Sequence, residues 1–213
     1  MMPKVVDHET RRAEIAEAAA SAVDEYGLDR VRLTDVARAA GCTTGSIGHY
    51  FPGKDAVLVA ALEHALAGIV DSGAAARASM GVANTSAFIE DVCTFLPITK
   101  PNQRHWRIWL AFCGRAAHDP RLALIHQRTY AELQQGLLDS MSKRGLGHRT
   151  GLANPEDTAA AVMAILDGVG LRAVLEPDEW PADRQRAMLS TLLSALLTSQ
   201  KATKTIALQE NAL

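Results

Sequence analysis

Leu33-Thr34-Asp35-Val36-Ala37-Arg38-Ala39-Ala40-Gly41-Cys42-Thr43-Thr44-Gly45-Ser46-Ile47-Gly48-His49-Tyr50-Phe51-Pro52-Gly53-Lys54-Asp55 is the stretch that decides how this chain folds. It reads as two short helices around a tight turn. Thr34 is a candidate N-cap for the first, since its hydroxyl can accept a backbone N–H. Gly41 ends that helix, because glycine takes the left-handed terminal conformation without a Cβ clash. Cys42 to Phe51 supplies a turn and the second short helix, and Pro52-Gly53 breaks the pattern. Leu33, Val36, Ala37, Ile47 and Phe51 can pack the pair from behind. Thr43, Thr44, Gly45, Ser46, Gly48 and His49 are small or polar. A helix this rich in Thr, Ser and Gly has weak intrinsic propensity and needs another reason to exist.

Outward from this stretch the pattern is helical throughout, with no sustained period-2 alternation. Upstream, Ile15, Ala18, Ala19, Ala22, Val23 and Tyr26 form one apolar stripe on a helix over about 9–26, closed by Gly27. Downstream, Lys54-Asp55 opens a fourth helix whose Leu58, Leu62, Leu66 and Ile69 carry it to about 72. Residues 73–84 read as a linker, and a fifth helix covers about 85–98, punctuated by Pro97 and Pro101. A sixth holds Arg104 to Cys113. Asp119-Pro120 and Asn154-Pro155-Glu156-Asp157 are cap-then-proline starts for the seventh and eighth. Gly145 to Gly151 is a loop. The eighth helix ends near Glu176-Pro177, and a ninth runs from about Pro181 to Thr198. The expected fold is all-α with about nine helices. A first domain is expected over 1–54, with the fourth helix connecting over 54–72, a second helical domain over 73–200, and a tail over 201–213.

Composition sets bounds on function. The 213 residues are 48% hydrophobic with a net charge of −2. No run of 18 apolar residues suggests a membrane span, and the polar start lacks a signal-peptide stretch. Cys42, Cys93 and Cys113 are unpaired in spacing, which fits a reducing cytoplasm. Charge alone argues poorly for a nucleic-acid partner, since acids outnumber bases in the first 64 residues. Between 28 and 54 the balance reverses, with Arg30, Arg32, Arg38 and Lys54 against Asp29 and Asp35.

Two short helices joined at Gly41 have the shape of a helix-turn-helix, whose second helix presents side chains to base edges in the major groove. Small residues there let backbone approach phosphate, and helix N–H groups bind anions. Tyr50 and Lys54 can reach phosphates from the far end. A pair of plain core helices would read the same way from spacing alone.

The quoted stretch resembles the DNA-binding signature of the TetR (tetracycline repressor) family, over roughly residues 9–66. Ile47-Gly48-His49-Tyr50-Phe51 with Gly53-Lys54-Asp55 is closest to its betaine-regulator (BetI) branch. Trp109-Leu110-Ala111-Phe112, His118-Asp119-Pro120 and Leu166 to Ala173 are similar to its regulatory domain. Two departures stand out: Cys42 replaces the usual apolar residue, and Gly48 stands where many members carry Tyr. The resemblance implies a transcriptional regulator, a repressor released from a palindromic operator by a small-molecule inducer. Thr34 would anchor a phosphate. Thr43, Thr44, Gly45, Ser46, Gly48 and His49 would line the groove, and Tyr50 and Lys54 would hold backbone.

A homodimer is expected, because two such heads about 34 Å apart read an inverted repeat of double-stranded DNA. Its seam would come from Val162, Met163, Leu166, Val169 and Ala173 of the eighth helix and Leu189, Leu192, Leu193 and Leu196 of the ninth. The same stripes could instead close the subunit's own core. Trp106, Trp109, Phe112, Cys113, His126 and Tyr130 are candidates for an effector pocket, where a quaternary ammonium could stack on Trp106 or Trp109. Trp at i and i+3 equally suits plain core. No cofactor motif is present. His118-Asp119 cannot face each other as a dyad at a helix start. His105, His118 and His126 lack metal-ligand spacing. An enzyme is therefore not expected, and a helical adaptor without DNA binding is the remaining alternative.

Overall fold

A computed structural model describes residues 8–78, 84–146, 152 and 154–198. Those residues form nine helices and no strand. In chain order these are α1 His8–Tyr26, α2 Leu33–Ala39, α3 Thr44–Gly48, α4 Lys54–Ala78, α5 Thr85–Cys93, α6 Lys100–Ala116, α7 Pro120–Lys143, α8 Pro155–Leu175 and α9 Ala182–Thr198. The all-α expectation holds. The expected tail over 201–213 and most of the Gly145–Gly151 loop lie outside the described residues.

Three local readings need correction. The cap of α2 is not Thr34: the backbone N–H of Arg32 donates to Asp35 Oδ2 at 2.9 Å, which makes Arg32 the capping position and leaves Thr34 exposed in the first turn. The stretch 73–78 is not linker but the last turns of α4. Ala74-Ala75-Ala76-Arg77-Ala78 is a run of the strongest helix formers, and it outweighs Gly73. α5 is shorter than expected and stops at Cys93, after which Thr94, Phe95 and Leu96 tighten into i→i−3 bonds. Pro101 belongs to the first turn of α6, where the Asn102 N–H donates to Thr99 Oγ1 at 3.3 Å. The starts at Pro120 and Pro155 fall where their cap signals put them. Asn154 Oδ1 accepts from Asp157 N at 2.7 Å.

The chain divides into two compact units. One takes the residues up to Asp71 together with Arg104–Leu122. The other takes Ser72–Gln103 and everything from Ala123 onward, so the division falls within α4 and within α6. In the first unit, Ile15, Ala19, Val23, Val36, Ile47, Val57 and Leu62 are buried, and α6 contributes Trp106, Ile108, Trp109 and Phe112. The buried face of α1 is mostly alanine, which lets neighbouring backbones come close. α4 and α6 meet closely at Gly68, where a Cβ would lie 2.7 Å from Cε1 of His105. Burial, aided by neighbouring Arg104, pushes the His105 imidazole below its ordinary pKa. The second unit is built around Phe88, Val92, Leu96, Met141, Ala159, Val162, Leu189 and Leu193. Buried Asn102 ties the start of α6 into this unit by donating to the carbonyls of Thr94 (2.8 Å) and Leu96 (3.0 Å). An ion pair between half-buried Arg144, just past α7, and buried Asp91 joins that end to α5.

Candidate DNA-reading surface

α2 and α3 are held apart by a turn whose pivot is Gly41, at φ +60. The following Cys42 N–H reaches back to the Ala37 carbonyl at 2.9 Å and closes the end of α2. Thr43, extended at φ −97, caps α3: its Oγ1 accepts from Ser46 N at 3.1 Å and lies 3.0 Å from Ser46 Oγ. Ile47 is the only buried residue of α3 and points toward the core. Thr43, Thr44, Gly45, Gly48 and His49 are exposed, and Ser46, Tyr50 and Lys54 are half-buried. The candidate residues thus form one solvent-facing strip backed by one apolar anchor, with Thr34 exposed on α2. The hydroxyls of Thr43 and Ser46 are engaged with each other, which shapes the start of the strip.

Two residues that shape this surface escaped the sequence reading. Near the start of α1, Arg11 Nη2 donates to the Ala40 carbonyl at 3.3 Å, at the end of α2. Arg12 donates to the Tyr50 carbonyl, just past the end of α3, and its guanidinium sits 4.4 Å from the centroid of the Phe51 ring. The His8 ring packs 4.8 Å from that of Tyr50. Cations at helix C-termini satisfy orphan carbonyls and oppose the helix dipole. The available signal was two adjacent arginines opening an alanine-rich helix.

The residues expected at a dimer seam divide. Val162, Val169, Ala173, Leu189 and Leu193 belong to the second unit's own core, Met163 is also buried, and Leu166 and Leu196 pack partly against that core. Leu192 is exposed. One turn-face away, α8 and α9 carry a different apolar strip: Ala164, Gly168, Leu171 and Leu175 on α8, with Met188, Leu192 and Ala195 on α9, all solvent-facing. By length and composition alone α8 could cross a membrane. Its apolar positions are divided between this strip and the core.

The residues expected at an effector pocket fall in different units. Trp106, Trp109 and Phe112 are at most 6% exposed in the first unit, with Cys113 half-buried. Phe112 borders a cavity of about 10 Å³, far below the few hundred Å³ of a small-molecule pocket. In the second unit His126 and Tyr130 stack with centroids 4.4 Å apart and planes 17° from parallel. The Tyr130 hydroxyl donates to Asp167 Oδ2 on α8. Burial pushes the Asp167 carboxyl above its ordinary pKa, while Tyr130 and His126 pull the other way. The sequence reading missed Asp167. Its signal was a lone carboxylate in the apolar run Ile165-Leu166-Asp167-Gly168-Val169. Among the described residues no cluster of His, Cys, Asp or Glu suits a metal ion.

An all-helical chain with an exposed reading helix, braced from behind and followed by a helical second unit, defines the class of helix-turn-helix transcriptional regulators. Residues 15–61 match the family described as bacterial regulatory proteins, tetR family, and residues 86–198 match the BetI-type transcriptional repressor C-terminal family. A regulator of Chromohalobacter salexigens named HTH-type transcriptional regulator BetI 2 is 33% identical over 205 residues, covering 92% of this chain and 93% of its own. A Burkholderia cenocepacia regulator named BetI is 30% identical over 174 residues, covering 82% and 87%. Among solved structures, a transcriptional regulator from Rhodococcus sp. Rha1 superposes with a TM-score of 0.74 at 25% identity, covering 87% of this chain and 95% of its own. A putative regulator from Saccharomonospora viridis, solved in complex with choline, does so with a TM-score of 0.69 at 21% identity, covering 88% and 97%. This chain belongs to the TetR family, with a BetI-type C-terminal half. It is a helix-turn-helix, DNA-binding transcriptional regulator of the repressor type.

Proposed function

We propose that two copies of this chain repress transcription in the cytoplasm by gripping an inverted-repeat operator, and that a small organic cation releases them. Residues 1–54 serve as the DNA-binding domain and 73–200 as the regulatory one. The observation that carries this reading is the α3 strip, exposed along Thr43, Thr44, Gly45, Gly48 and His49 while Ile47 anchors it. Thr44 and His49 meet base edges. Thr34, Tyr50 and Lys54 hold phosphates, and the short Thr43–Ser46 segment lets backbone approach the duplex. The operator can be recovered by selecting the protein against random duplexes. Lys54→Ala is expected to weaken binding to it and to lower the slope of log affinity against log salt by about one unit, as loss of one phosphate contact requires. Anisotropy titrations over a salt series measure this, and an unchanged slope would remove Lys54 from the phosphate contacts.

The exposed strip of Ala164, Gly168, Leu171, Leu175, Met188, Leu192 and Ala195 supports a seam of two helices from each subunit. Small residues on α8 permit close approach, and the leucines supply buried area. Leu189 and Leu193, inside the subunit, brace it from behind.

The effector site we assign to Asp167, Tyr130 and His126. A half-buried carboxylate beside two stacked rings suits a small quaternary ammonium, which would supply positive charge while lying against the aromatic faces. The choline held by the Saccharomonospora viridis protein supports this ligand class. Choline is therefore expected to raise the melting temperature of the wild type in proportion to the logarithm of its concentration. Asp167→Asn, which keeps shape and removes charge, is expected to fold and to lose that response. An equal shift in both proteins would contradict the assignment.

A further inference from the structure

We infer that Thr43, Gly45 and Gly48 make α3 a reader of thymine, with the 5-methyl of the base seated against the Thr43 γ-methyl in the hollow left by the two glycines. This rests on the α3 strip as the surface that meets base edges, and it names what that strip selects. Thr43 is exposed, yet its hydroxyl is engaged within the protein. Oγ1 accepts from Ser46 N at 3.1 Å and lies 3.0 Å from Ser46 Oγ. One O–H hydrogen of the two hydroxyls lies in their mutual bond, so the pair keeps at most one for a base. The part of Thr43 without a hydrogen-bonding task is its γ-methyl. The side chain that opens the strip therefore offers the duplex an apolar surface more than a donor.

The two glycines have no reason inside the subunit. Among the described residues the glycines at positive φ are Gly27, Gly41 and Gly145, so neither Gly45 nor Gly48 needs glycine for its backbone conformation. Sterics do not require it either. A Cβ on Gly48 would meet nothing within 4 Å, and the nearest atom to one on Gly45 would be Thr43 Oγ1, at 3.7 Å, an ordinary contact. Glycine is a weaker helix former than alanine, so two glycines in a five-residue helix are a cost to folding. Close approach of something outside the subunit explains that cost. Both glycines are exposed, they share one side of α3 at i and i+3, and Gly45 lies beside Thr43. In the major groove thymine alone presents a methyl, and threonine methyls and other small apolar groups are its usual contacts. A phosphate would call for donors, and the Thr43–Ser46 pair has few left.

Deoxyuridine differs from thymidine by that methyl alone, so the contact can be tested without touching the protein. Duplexes selected from a synthetic pool carry the pyrimidine 5-methyl on thymine only. Each thymine of the selected operator is replaced by uracil in turn, in both half-sites together, and affinity is measured by anisotropy for the wild type and for Thr43→Ser. Serine keeps the capping hydroxyl and removes only the γ-methyl. At one position the wild type is expected to lose affinity about fourfold per half-site, the worth of one buried methyl group. Thr43→Ser is expected to lose a similar amount on the thymine duplex and to be nearly indifferent to uracil there, since the two methyls form a single contact. Gly48→Ala is expected to raise the melting temperature while weakening operator binding. Uracil tolerated at every position by the wild type, or a uracil penalty of the same size in Thr43→Ser, would overturn the inference and leave the operator reading intact. So would a Gly48→Ala protein of undiminished affinity. A selection that enriches no duplex would overturn both.

Discussion

Leu171→Glu combined with Leu192→Glu is expected to turn the protein into a folded monomer that no longer holds its operator. Both leucines are solvent-facing in the single subunit, 40% exposed each, so the charges cost the subunit little. In a two-fold seam, however, each substitution occurs twice. Four carboxylates would be taken out of water close together, without partners. The effect on DNA binding is indirect and large. Two linked heads gain affinity because the second binds at high effective concentration, an advantage of about 10² to 10⁴. Light scattering and gel retardation together test this. Monomers with operator affinity near the half-site level are the expected result. A dimer of undiminished affinity would place the seam elsewhere on the molecule.

The second large effect is expected from Thr44→Ala with His49→Ala. A good base contact discriminates by about 1–3 kcal/mol. Losing two should lower affinity for the selected operator by roughly 30-fold to 10⁴-fold. Both side chains are exposed and neither is seen to brace the core, so melting temperature should hold. Binding to unrelated DNA, which rests on phosphate contacts, should fall little. Parallel loss on both kinds of DNA would mean that these residues hold backbone rather than read sequence.

Most helix boundaries were legible because caps are local chemistry. Asn154-Pro155 and Asp119-Pro120 name their own helix starts, and Gly41 its turn, now seen at φ +60. Local chemistry also explains the errors. Thr34 and Asp35 are adjacent and both can accept a backbone N–H, so sequence does not say which one closes the turn. Pro101 can end one helix or begin the next, and here it begins α6. Periodicity identified the apolar sectors of α8 and α9 but could not split them. Leu189 and Leu193 turn inward while Met188 and Leu192, one residue earlier each time, turn outward. A broad stripe serves a core and a seam at once, and only packing assigns the halves.

The candidate sites were legible to different depths. The reading strip follows from a continuous segment, and its exposed residues are those that spacing and resemblance named. The proposed effector cluster joins Tyr130 on α7 to Asp167 on α8; aromatic content named Tyr130 and His126 along with Trp106 and Trp109, but could not name Asp167, far away in sequence. The ion pairs between α1 and α6 are equally long-range, linking Glu17 to Arg104 and Asp24 to Arg107. No local pattern announces such pairs.

Quantitative footprinting of the selected operator, with subunit stoichiometry measured on the same complex, tests the central claim most directly. The expected result is one protected inverted repeat, its half-sites about one helical turn apart, occupied by two chains. A complex that forms equally well on scrambled DNA, or one built from a single chain, would contradict it.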